Sequence, residues 1–115
     1  MFATTSEIEQ YIRMTLKQWS MSHIPVIIKD NLNHSTALGL YHCDDKKIEI
    51  SSIALQSFHL FRFVLLHELC HALDHNERGS LIVNNRANFH GKNFHKWCKK
   101  LNIPSRRFIP KNLLV

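Results

Sequence analysis

Near the start of the chain the apolar positions Ile8, Tyr11, Ile12, Leu16 and Trp19 recur at helical spacing. Ser6-Glu7-Ile8-Glu9 has the Ser-x-x-Glu form of a capping box. The pattern therefore predicts an amphipathic helix over residues 6 to 20, its stripe covering a sheet. The period then shortens to two. Pro25-Val26-Ile27-Ile28-Lys29 is a β-branched run and predicts a strand. Residues 30 to 35, rich in Asn and Asp, turn. Second and third strands follow over residues 37 to 42 and 47 to 51, and Asp44-Asp45-Lys46 between them closes an antiparallel hairpin. Ile48 and Ile50 alternate with Lys47, Glu49 and Ser51, so one face of the third strand is expected in water. Gly39 inside a strand implies a bulge or a close approach of another element to the backbone.

The pattern changes again at the most apolar run of the chain. Phe58, Phe61, Val64, Leu65, Leu66, Leu69, Ala72 and Leu73 leave little polar face, so the helix expected over residues 57 to 74 is buried on most sides. Asn76-Glu77-Arg78 is its polar exit and Gly79 ends the region. Residues 80 to 89 show no clear period. A third helix is expected over residues 91 to 101, with Phe94, Trp97, Cys98 and Leu101 on one face and Lys92, Lys96, Lys99 and Lys100 on the other. Pro104 and Pro110 bracket an irregular tail that holds Arg106 and Arg107. Without repeats or linkers, residues 1 to 115 read as one domain.

Composition narrows the classes. No apolar run reaches membrane-spanning length and the N-terminus lacks a basic-then-apolar signal pattern, so no membrane partner is expected. Cys43, Cys70 and Cys98 are odd in number and without CxxC spacing. They read as free thiols in a reducing, intracellular compartment, cytoplasmic or nucleoid/nuclear. The formal charge of +6 favours an anionic partner, DNA first, with Lys92, Lys96, Lys99, Lys100, Arg106 and Arg107 as the candidate phosphate contacts. A monomer is expected.

Within the buried helix stands His-Glu-x-x-His: His67, Glu68 and His71. Residues four apart on a helix lie about 40° apart around its axis, so two imidazoles can reach one ion. The residue after the first histidine lies close to that ion but not on it, where a carboxylate can take a proton from a metal-activated water. Two histidines and a glutamate are costly in an apolar helix unless something pairs with them. Zinc is the expected metal, since neutral imidazole suits it, with Glu68 as catalytic base. A catalytic zinc also needs a third protein ligand, and four candidates lie downstream. Glu77 has the spacing of metzincins, although this chain has Asp74 where their turn needs glycine. His75 continues the face of His67 and His71, but about 6 Å further along the axis. His90 and His95 lie at the start of the third helix and within it.

His90-Gly91-Lys92-Asn93-Phe94, following His-Glu-x-x-His, resembles the SprT-like zinc metalloproteases, the Spartan/SprT group. Upstream, Ala37-Leu38-Gly39 and Ile48-Glu49-Ile50-Ser51 are similar to that family's strand pair. Asn88-Phe89 departs from the acidic residue and glycine that members often carry before their last histidine. The resemblance covers a catalytic domain, without the zinc ribbon many members add. It implies an α+β, zincin-like fold: a small three-stranded, mostly antiparallel twisted sheet packed against the active-site helix, with flanking helices. It makes His90 the third zinc ligand and peptide hydrolysis the reaction, on proteins bound or crosslinked to DNA. Two other classes share parts of the pattern. ImmA/IrrE-like zincins, which act on repressors, often carry a further histidine where this chain has His75. A nucleic-acid-binding module with a structural zinc would have no use for Glu68.

Overall fold

The computed structural model describes residues 2–30, 32, 37–80, 82–83, 86–87 and 89–104. The chain forms α1 (Thr5–Gln18), β1 (Val26–Lys29), β2 (Gly39–His42), β3 (Lys47–Ser51), a 3-10 turn (Ser52–Gln56), α2 (Phe58–Arg78), β4 (Ile82–Val83), β5 (Arg86–Ala87) and α3 (Lys92–Lys100).

The capping box of α1 lies two residues earlier than the sequence pattern places it. Thr4, not Ser6, accepts from the Glu7 amide at 3.2 Å, and the Glu7 carboxylate accepts from the Thr4 amide at 3.0 Å. Both registers have the required spacing. Only the Thr4 register puts apolar residues on both sides of the cap, and Ala3 and Ile8 both pack into the core there. Ile8, Ile12 and Leu16 line the buried face, and the Tyr11 ring meets Phe58 and Phe61 of α2 at 5.3 and 6.2 Å.

The sheet has the order β1-β3-β2 and is mixed, not mostly antiparallel: β3 pairs antiparallel with β2 and parallel with β1. The hairpin is the one expected. What the sequence pattern hid is that β3 inserts between β1 and β2. A parallel pair needs a long connection, and here that connection contains β2 itself. The register puts Val26, Ile28, Gly39, Tyr41, Ile48 and Ile50 on one face. Ile48 and Ile50 are fully buried on that face, against which α2 packs.

The other face is not the wet one expected. Glu49 and Ser51 are buried, and the Glu49 carboxylate is held between the Lys29 ammonium and His42 Nε2, the latter at 2.6 Å. A buried carboxylate is tolerated when paired and hydrogen-bonded. The Lys29 hydrogen bond, then that of His42, keeps its pKa below the usual carboxylate value.

The long central helix begins at Ser57, whose hydroxyl accepts from the Leu60 amide at 3.1 Å. It continues one turn past the expected end at residue 74. His75, Asn76, Glu77 and Arg78 do not break it; they mark where it emerges from the core, Asp74 being its last fully buried residue. The helix stops at Gly79, whose φ of 75° is open to a glycine, its amide donating to the His75 carbonyl at 2.8 Å. The β4–β5 hairpin then supplies the return of the chain in the stretch where the sequence showed no period.

Candidate metal centre

The middle of α2 places His67, Glu68 and His71 at 1%, 0% and 3% exposure. Buried this deeply in a helix packed on several sides, the two rings have few rotamers to choose from. Their centroids stand 5.1 Å apart. The chain returns through β4–β5 and brings the exposed His90 against them, 5.7 Å from His67 and 4.8 Å from His71. One ring nitrogen from each of the three lies within 4.8 Å of the others, so His67, His71 and His90 could hold a metal ion. In a tetrahedral site with bonds of about 2.0–2.1 Å, ligand nitrogens stand about 3.4 Å apart. A set of three neutral imidazoles would leave a fourth position open.

Phe94, fully buried in the first turn of α3, is the common wall of the site. Its ring stacks on His71 with centroids 4.4 Å apart and planes at 23°. It meets His67 at 5.2 Å and His90 at 5.0 Å, edge to face. Gly91 is the N-cap of α3, so His90 lies one residue before the cap.

The other downstream candidates do not join this group among the described residues. Glu77 sits on the same helix as the motif and accepts two hydrogen bonds from Lys96 Nζ at 2.6 and 2.8 Å. His75 Nδ1 pairs with the Tyr41 hydroxyl at 2.8 Å, and burial pushes that phenol up to about 12. The exposed His95 lines a separate open cavity with Cys98, Lys99, Asn102 and Ile103. Cys70, between the histidines in sequence, is buried and hydrogen-bonded to Cys98; that bond, with burial, holds its thiol above the usual range, and it does not join the three-histidine group.

Two contacts were not legible beforehand. The first concerns Gly39, for which the strand pattern implies a bulge or a close approach without naming a partner. A Cβ there would stand 2.7 Å from Val64 Cγ1, 3.0 Å from Glu68 Cγ and 3.1 Å from Glu68 Oε2. Glycine in β2 is what leaves room for the Glu68 side chain. Gly39→Ala is expected to destabilise the fold by about 1–3 kcal/mol through overpacking. A urea titration reads this directly, and an unchanged midpoint would mean that β2 and α2 have slack at this point. The second contact is Asp74, noticed in the sequence only for not being glycine; it is fully buried and accepts from Asn93.

The basic face of α3 is partly used internally. Lys96 is bound to Glu77, and the ammoniums of Lys96 and Lys100 lie 5.0 and 4.6 Å from the Trp97 ring. Lys92 and Lys99 are exposed, while Arg106 and Arg107 lie outside the described residues. No helix among the described residues is long and apolar enough to cross a membrane.

The sequence model of the SprT-like family matches residues 5–112, nearly the whole chain. No curated protein and no solved structure matches it.

Proposed function

The chain belongs to the SprT-like family, and on that premise we propose that it is a zinc-dependent metalloendopeptidase acting on proteins bound or crosslinked to DNA. The observation that carries the reading is the convergence of His67, His71 and His90 beside Glu68. His67, His71 and His90 would hold the zinc, which would supply a Lewis acid able to lower the pKa of water and polarise a carbonyl. Glu68 takes the proton of the attacking water on a carboxylate oxygen and hands it to the leaving amine. Gly39 keeps that carboxylate seated between β2 and α2, and Phe94 keeps the imidazoles in place.

DNA enters this reading through charge. The net charge is +6, and α3, which starts two residues after His90, carries Lys92 and Lys99 on its exposed side. Phosphate contacts there would set the centre over protein held on the strand. The test is hydrolysis of a general protein substrate and of a DNA-bound protein by the zinc-loaded chain, with and without DNA. Chelator-sensitive cleavage, faster with DNA, is expected. Lys92→Glu with Lys99→Glu, which leaves the Lys96–Glu77 pair intact, should weaken DNA binding and reduce its salt slope by about 1 per lysine. Cleavage indifferent to chelation would sink the metalloprotease; unchanged DNA binding would remove only this face.

A further inference from the structure

We propose that Asp74 and Asn93 are positioning residues for His90: their hydrogen bond holds the first turn of α3 and, through it, the third ligand of the centre. The inference rests on the reading of His90 as a ligand given above. His67 and His71 lie in the buried middle of a 21-residue helix, which sets their backbone. His90 differs from them: it is exposed and lies outside any helix or strand, one residue before the Gly91 cap of α3. Where its backbone lies depends in part on what anchors the first turn of α3, which begins two residues later.

Two neighbouring residues of that turn do so. Phe94 packs on the three rings, but it makes no hydrogen bond that ties the turn to α2. Asn93 supplies direction, donating from Nδ2 to Asp74 Oδ1 at 2.8 Å. Asp74 lies three residues after His71, on the same side of α2, and is itself immobilised. Arg78, one turn on, donates from Nε to Oδ1 at 2.6 Å and from Nη2 to Oδ2 at 2.9 Å. A bidentate guanidinium fixes the plane of a carboxylate, so the oxygen offered to Asn93 cannot swing. The chain Arg78–Asp74–Asn93 thus ties the last buried turn of α2 to the residue three after His90.

A plain staple between two helices would stabilise the fold without regard to the metal; a positioning pair acts on affinity. Zinc affinity measured by competition with a chromophoric chelator separates them. Asn93→Ala leaves Asp74 paired with Arg78, so the chain should fold. It is expected to bind zinc about 10- to 100-fold more weakly, and the cobalt-substituted protein should show altered visible absorption. The swap Asp74→Asn with Asn93→Asp restores one hydrogen bond between the positions while removing the carboxylate from Arg78. It should recover part of the affinity and of the cobalt spectrum, because Arg78 no longer grips a carboxylate at position 74, and be less stable in urea.

Wild-type affinity in Asn93→Ala, or a swap that recovers neither affinity nor spectrum, would overturn the positioning role. His90→Ala measured alongside keeps the two ideas apart. If it loses zinc while Asn93→Ala does not, only the positioning role fails. If it too binds zinc like the wild type, the ligand assignment fails with it.

Discussion

Glu68→Gln will retain zinc and fold yet lose hydrolysis by about 10²- to 10⁴-fold, the usual worth of a positioned proton-transfer group. The amide has the shape of the carboxylate. It fits under Gly39, where Glu68 Cγ and Oε2 stand only 3.0 and 3.1 Å from the site a Cβ would take. It cannot accept a proton from water, so the step fails while the geometry survives. Glu68 is fully buried, and replacing a buried acid by a neutral isostere relieves a desolvation cost. Stability in urea should therefore hold or rise. The measurements are turnover on a general protein substrate, bound zinc by atomic emission, and the urea midpoint. A Glu68→Gln protein as active as the wild type would exclude Glu68 as the base.

The second large effect separates the candidates for the third ligand. His90→Ala should lower zinc affinity by more than about 100-fold, beyond the range typical of outer-sphere substitutions, and abolish activity with it. The fold should change little, because His90 is exposed. His95→Ala should keep zinc, since that ring lines a separate cavity with Cys98 and Ile103. Glu77→Ala should keep zinc too, because its carboxylate is occupied by Lys96 and the cost falls on the α2–α3 contact. Zinc content after mild chelation reads all three. The assignment fails if His90→Ala keeps full zinc and activity while either of the others loses both.

A mixed sheet where a mostly antiparallel one was expected, and a buried Glu49 where a wet face was expected, share one cause. Both depend on which strand lies beside which. Alternation along β3 states that its two faces differ, but not that Lys29 of β1 and His42 of β2 would flank Glu49 and make its burial tolerable. The misplaced cap of α1 has a milder cause. Thr4 and Ser6 offer equivalent local chemistry, and the contact of Ala3 and Ile8 with the core decides between them.

Short-range geometry is what the sequence determines by itself here. His67, Glu68 and His71 are related by helical rotation alone, so any helix over those residues builds two ligand positions and a neighbouring carboxylate. The apolar run around them ensures that the helix is buried, and the His-Gly-x-x-Phe motif marks a third imidazole just ahead of a helix. That the third imidazole reaches the first two was decided only by tertiary structure. It took the stop at Gly79, the β4–β5 return, the stacking of Phe94 on His71 and the bond from Asn93 to Asp74. The same holds for Gly39 beneath Glu68, where two elements far apart in sequence close to van der Waals distance. A periodic pattern records which face of an element is buried; the partner that buries it is a property of the packed chain.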